Sequence, residues 1–279
     1  MVDFYNKISF QISKFITRSY STSFSIAVSF LEKDKKPAIY AIYGFVRFAD
    51  EIVDSFEGYD KKKLIEKFES DFYDAINDGI SLNPILNSFQ NVVRQYQIPD
   101  DLIQAFLKSM KFDLYKNDYT TKEEINEYIY GSADVVGLMC LKVFVNGDEK
   151  AYNELKPPAM KLGSAFQKVN FLRDIKSDVE NLDRRYFVDL NIDTFDDNFK
   201  NQLIKEIEED FTESFIGLKK LPKHPKLAVY IAYTYYLNLL KKIRKTPAEK
   251  LIKTRIRVSD FMKGILLIKA YLMSKLNLI

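Results

Sequence analysis

Apolar residues recur along most of this chain at steps of three and four, the period of a helical face rather than of a strand. Between 37 and 56, Ile39, Ile42, Val46, Ala49 and Val53 keep that step, and Pro37 stands where a first helical turn tolerates proline. The same rhythm predicts helices over roughly 60–79, 83–97, 100–118, 121–146, 149–181, 198–220, 225–245 and 248–275. Gly58, Gly79, Pro99, Gly147 and the stretch between Pro222 and Pro225 separate these runs, as turn residues should. Residues 182–197, LDRRYFVDLNIDTFDD, lack a helical rhythm and read as an ordered loop. No repeat and no linker interrupts the pattern. A single all-α domain over 1–279 is the expectation.

Composition narrows the chemistry. Nine Gly and eight Pro in 279 residues are few for a many-stranded sandwich or barrel. The single cysteine, Cys140, rules out an internal disulfide framework and a cysteine cage for zinc or iron–sulfur. With one histidine, His224, a multi-histidine metal site is impossible. Both read as structural, His224 in an exposed Pro-flanked turn and Cys140 on an apolar helix. Chemistry must therefore rest on carboxylates, Arg/Lys, Tyr and amides.

The net charge of +3 is too weak to point to nucleic acid. Its distribution is uneven: between 219 and 275 there are fifteen Lys/Arg and only two acids, Glu249 and Asp260. Such an end could meet phosphates or anionic lipid. The N-terminus lacks the basic start and long apolar run of a secretory signal, and no stretch has the roughly 18 apolar residues of a membrane span. A cytoplasmic protein is expected, with peripheral contact at the inner face of the membrane left open.

Five Asp-x-x-x-Asp pairs occur, and on a helix such pairs share a face. Their surroundings discriminate. Asp74/Asp78 sits in a polar helix end and reads as solvated surface, while Asp189/Asp193 and Asp193/Asp197 fall in the loop. In AIYGFVRFADEIVD (41–54), by contrast, Tyr43, Arg47, Asp50 and Asp54 form one stripe at steps of four, three and four on a helix apolar enough to be buried. In LGSAFQKVNFLRDIKSD (162–178), Gly163, Gln167, Asn170, Asp174 and Asp178 form a second. A buried Asp–Arg ion pair would explain either stripe alone. Two acidic stripes on buried helices repel unless cations lie between them. Magnesium suits carboxylate oxygens and completes its shell with water and phosphate, and Arg47 and Arg173 would grip phosphate oxygens. SYSTSF (19–24) adds hydroxyls at Ser21, Thr22 and Ser23, or simply caps a helix. YIYGSADVVGLM (128–139) puts Tyr130, Ala133 and Gly137 on one helical face, where the small residues allow close helix packing or leave room for an isoprenoid chain.

These residues together resemble a known family. SYSTSF, RFADEIVD (47–54), YGSADVVG (130–137), FQKVNFLRDIKSD (166–178), RRYF (184–187) and RIRVSDFMK (255–263) look like the landmarks of squalene/phytoene synthases, nearest the bacterial phytoene synthases, over almost the whole chain. The resemblance implies an all-α isoprenoid synthase fold around a central hydrophobic cavity. It implies that two geranylgeranyl diphosphates join head to head to give phytoene, with farnesyl diphosphate and a C30 dehydrosqualene or squalene product as the alternative. Asp50, Asp54, Asp174 and Asp178, with Asn170, would hold two or three magnesium ions, or manganese in their place. Ser21, Thr22, Ser23, Tyr43, Arg47, Gln167, Arg173 and Arg184 match positions near the diphosphates. Arg255 and Lys263 would add cationic contacts from the C-terminal helix. Phe24, Tyr130, Val136, Gly137 and Tyr186 match positions along the hydrocarbon channel or near the reacting carbons.

The chain departs from the family pattern at Thr22, where many relatives carry a basic residue, at Glu51, where many carry Asp, and at Ala248, where some carry Tyr. NADPH is not expected, since no dinucleotide-binding glycine motif is present. A catalytically silent family member serving as a scaffold is the alternative of a different class; four retained aspartates argue against it.

Overall fold

The computed structural model describes residues 1–116, 118–182, 186 and 195–279, with the backbone alone for 177–182. Every regular element among them is helical: α1 (Val2–Tyr20), α2 (Thr22–Val28), α3 (Lys35–Ser55), α4 (Lys61–Asp78), α5 (Pro84–Tyr96), α6 (Asp100–Phe112), α7 (Lys122–Ile129), a π-helical turn (Tyr130–Asp134), α8 (Val135–Phe144), α9 (Glu149–Leu182), α10 (Asp197–Leu218), α11 (Lys223–Lys245), α12 (Ala248–Lys253) and α13 (Asp260–Lys275). The expected breaks at Gly58, Gly79 and Gly147 are left-handed turns with φ of +80°, +75° and +75°, a conformation that favours glycine.

Three expectations change. Helix α1 was not anticipated, because the face it buries carries Ser9, Ser13 and Thr17 rather than apolar side chains. Their hydroxyls are satisfied within the protein: Ser9 and Thr17 donate to the carbonyls four residues back at 2.9 and 2.8 Å, and Ser13 meets Ser88 of α5 at 2.7 Å. The single helix expected over 121–146 is divided by the π-turn. There Gly131 lies so close to α6 that an added Cβ would stand 2.5 Å from the Ala105 carbonyl oxygen. The helix expected over 248–275 is interrupted at 254–259, where Arg-Ile-Arg-Val-Ser alternates charged and apolar residues in a non-helical segment before Ser259 caps α13.

Two apolar cores support the molecule. In the first, Phe45 of α3 is surrounded by Phe68, Phe72, Phe89 and Phe106, with ring centroids 4.0 to 5.7 Å away. The second gathers Val169, Leu172, Ile207, Phe211, Ile231 and Leu240 from α9, α10 and α11. Elements of both cores surround an apolar cavity of about 300 Å³.

Candidate active site

The stripe expected on α3 forms one wall of a polar cleft of about 1080 Å³. Tyr43, Arg47, Asp50 and Asp54 all line it. Arg47 donates to Asp50 at 2.6 Å, also contacts Glu51, and lies 4.4 Å above the Tyr20 ring. Tyr43 stacks on Phe24 with centroids 4.9 Å apart. Burial, reinforced by Asp50 and opposed by Arg47, pushes the Tyr43 hydroxyl above its ordinary range. It is therefore a neutral donor at physiological pH. The stripe is half-buried rather than fully buried: the side chains of Arg47 and Asp50 are 28% and 34% exposed, because they face the cleft and not the core.

Helix α9 supplies the second wall through Gln167, Asn170, Arg173 and Asp174. Asn170 donates to Gln167 at 3.4 Å and accepts from Tyr236 of α11 at 3.3 Å. Arg173 donates through Nε to Asp174 at 3.0 Å. Arg255 reaches the same carboxylate at 2.7 Å from the segment before α13. It belongs to that non-helical connection and not to the C-terminal helix. The side chain of Asp178 and the whole of Arg184 lie outside the described residues.

The start of α2 completes the rim. Ser21 caps the helix, accepting from the Phe24 amide at 3.3 Å, and Ser21, Thr22 and Ser23 all face the cleft. Lys263 of α13 and Tyr186 line it too. Tyr186 stacks on Phe171, 4.2 Å away and nearly parallel. Each carboxylate stripe thus carries the arginine pairing that a purely structural role would need, and both stripes also face one shared space.

Phe24, Phe166 and Ala232 border both the polar cleft and the apolar cavity, so the two adjoin. Val136 and Gly137 line the apolar part. Tyr130 lines neither and packs on the first core. A π-turn holds an extra residue, and it presents Ser132 and Ala133 to the cavity in place of Tyr130. Sequence periodicity also missed Tyr20, Asp113, Tyr128, Tyr236 and Arg257 of the cleft. Tyr128 donates to Asp113 at 3.1 Å, and burial above all holds its hydroxyl well above the usual range. These side chains come from helix ends, from α11 and, for Arg257, from the segment before α13, where no stripe of like chemistry marks them.

Asp50, Asp54, Asp174 and the Asn170 amide give a set of hard oxygen donors, the set magnesium takes. Among the described residues no three acidic, histidine or cysteine side chains converge on one point. An ion there would take its remaining ligands from water and from an anionic ligand, as magnesium commonly does. Arg47, Arg173, Arg255, Arg257 and Lys263 interleave with the acids, which equips the cleft for a polyanion and its counter-ions together.

A family model described as squalene/phytoene synthase matches residues 17–188. The phytoene synthase of Arthrospira platensis is 28% identical over 181 residues, 61% of this chain and 58% of that protein; the chain thus matches little more than half the length of this relative. The 4,4'-diapophytoene synthase of Staphylococcus haemolyticus is 23% identical over 273 residues, 89% of this chain and 91% of that one. A crystal structure of a dehydrosqualene synthase in complex with ligand superposes with a TM-score of 0.85 at 24% identity, over 97% of this chain and 98% of its own.

Proposed function

The chain belongs to the squalene/phytoene synthase family, a prenyltransferase-type family with an all-α fold, and from that premise we propose that it joins two molecules of geranylgeranyl diphosphate head to head to form phytoene. The observation that carries this reading is the pairing of two acidic and arginine-rich stripes, from α3 and α9, around one cleft that adjoins an apolar cavity. A diphosphate needs cationic and metal partners, and a polyprenyl tail needs a dry hollow. The cleft and the cavity supply one each.

Asp50, Asp54, Asp174 and Asp178, with Asn170, are the residues assigned to magnesium. Bound there, the metal supplies Lewis acidity that draws charge onto the leaving diphosphate. Arg47, Arg173, Arg255 and Lys263 hold phosphate oxygens through charge-assisted hydrogen bonds. Tyr43 donates as a neutral phenol beside them. Where the cleft meets the cavity, the π faces of Phe24, Phe166 and Tyr236 stand ready to stabilise allylic cations. In the first half-reaction one diphosphate leaves, the second molecule's double bond captures the cation, and loss of a proton closes the ring to give a cyclopropylcarbinyl diphosphate. In the second, that diphosphate ionises, the skeleton rearranges and a proton is lost. The apolar walls keep water from the cations throughout. No reductant enters this sequence, so NADPH has no part in it.

The C20 substrate rests on likeness to phytoene synthases. The match along 91% of a diapophytoene synthase favours a second reading, a C30 product from farnesyl diphosphate. Purified protein incubated with magnesium and each diphosphate, with and without NADPH, separates the two by product mass. Phytoene from the C20 substrate without NADPH supports the first reading, and a C30 product alone overturns it. Substrate and product are both water-insoluble hydrocarbons in their greater part, so the enzyme works as a peripheral protein at the inner membrane face.

A further inference from the structure

Helix α13 is apolar on the side that faces away from the protein. Phe261, Ile265, Ile268, Leu272 and, just past the helix end, Leu276 follow at steps of four, three, four and four, a single face. They are 79%, 43%, 62%, 53% and 67% exposed. A surface helix ordinarily turns its apolar stripe inward. Here the inner side is apolar as well: Ala270 is buried, and Leu266, Leu267 and Met273 pack on the second core. The helix is therefore apolar almost all round and covered on one side only. Lys269 and Lys275 are exposed on opposite margins of the outer stripe, and the only acid of the helix is Asp260 at its start. In the segment just before it, Arg257 adds one more exposed cation. No described helix is long and apolar enough to cross a membrane.

We propose that the outer face of α13 seats the protein on an anionic phospholipid bilayer, the apolar stripe entering the boundary between headgroups and acyl chains and the two lysines meeting headgroup phosphates. An amphipathic helix with cationic margins binds such a surface through these two contributions together. Charge selects a bilayer over a second copy of the chain, because two copies apposed through this face would bring lysines against lysines. Position supports it, because Ser259, Asp260 and Lys263 at the start of α13 form part of the cleft rim. A bilayer under the stripe therefore adjoins the mouth through which a long hydrocarbon tail would pass. This last argument rests on the proposed function, whereas the stripe and its charges do not.

The test is sedimentation of the full chain with vesicles of phosphatidylcholine alone or mixed with phosphatidylglycerol, at low and high salt. The wild type should pellet with the mixed vesicles and be released by salt. A basic side chain at an anionic surface is worth about fivefold in partitioning, so Lys269→Gln with Lys275→Gln should weaken binding about 25-fold. Phe261→Ser, Ile268→Ser and Leu272→Ser combined should abolish it, at roughly tenfold or more for each lost side chain. Since all five side chains are exposed, both variants should melt at the wild-type temperature. Sedimentation velocity run in parallel reads self-association. Unchanged vesicle binding by the triple serine variant, or a wild-type dimer that this variant dissolves without any vesicle binding, overturns the proposal. None of these readouts uses turnover, so failure here is distinct from failure of the proposed reaction.

Discussion

Filling the apolar cavity at Gly137 should change which chain length the enzyme prefers. Gly137 lies on α8 in the cavity wall. A Cβ placed there meets nothing nearer than the Ala159 carbonyl oxygen at 3.6 Å, an ordinary contact. Gly137→Ala therefore fits, and by helix propensity it leaves stability unchanged or raised by up to about 1 kcal/mol. Gly137→Leu adds four carbons, and beyond Cβ they project into a hollow of about 300 Å³. If they displace the last isoprene unit of a C20 tail, five carbons lose their burial. At about 0.8 kcal/mol per buried carbon, the loss is about 4 kcal/mol, or about a thousandfold in kcat/KM for the longer substrate. A C15 tail, shorter by that unit, keeps its burial. The assay is competition between geranylgeranyl and farnesyl diphosphates, read as the ratio of C40 to C30 hydrocarbon, with a thermal melt to show that the variant is folded. A folded Gly137→Leu protein whose ratio equals that of the wild type would show that the tail lies elsewhere.

Three further outcomes follow from particular contacts. Gly131→Ala places a Cβ 1.9 Å from Ser109 Oγ and 2.5 Å from the Ala105 carbonyl oxygen. It should cost about 2–3 kcal/mol, measured by denaturant melts, and Ser109→Ala in the same chain should not restore the loss because the backbone oxygen remains. Burial raises the Asp134 carboxyl from 3.8 to about 7, with Asp210 raising it further and Ser164 and Lys168 opposing. Its neutral form therefore contributes stability fully below about pH 4, lost progressively as pH rises to about 7, on the order of 4 kcal/mol. Across that range wild-type stability should fall relative to Asp134→Asn, and parallel curves for the two proteins would refute the assignment. Arg255→Ala removes a cation that grips Asp174 at 2.7 Å on the cleft rim. It should raise KM for the diphosphate by about tenfold or more, the worth of a charge-assisted hydrogen bond, with little change in helicity by circular dichroism.

What could be read from the sequence follows the physics of each element. The stripes on α3 and α9 were legible because polar residues at steps of three and four on apolar helices violate the usual inside–outside rule. That violation has few explanations. Helix α1 broke the rule in the opposite sense, burying hydroxyls that a periodicity argument reads as exposed. The interruption at 254–259 contains neither Gly nor Pro, so no turn residue marked it. Its alternation of charged and apolar residues and the Ser-Asp pair opening α13 were signals that could have found it. The π-turn carried only Gly131 as a mark, and the close packing of that glycine on α6 is a tertiary contact that periodicity does not register. The same turn displaces Tyr130 from the face that helical spacing gave it.

The central claim is that the α3 and α9 carboxylates act on one diphosphate site, and the double variant Asp50→Asn, Asp174→Asn tests it most directly. The substitutions keep the shape of two half-buried side chains while removing their charge. With magnesium and geranylgeranyl diphosphate, turnover to C40 hydrocarbon should fall by about a thousandfold or more, while the circular dichroism spectrum stays that of the wild type. A folded double variant that retains turnover within about tenfold of the wild type would contradict the account.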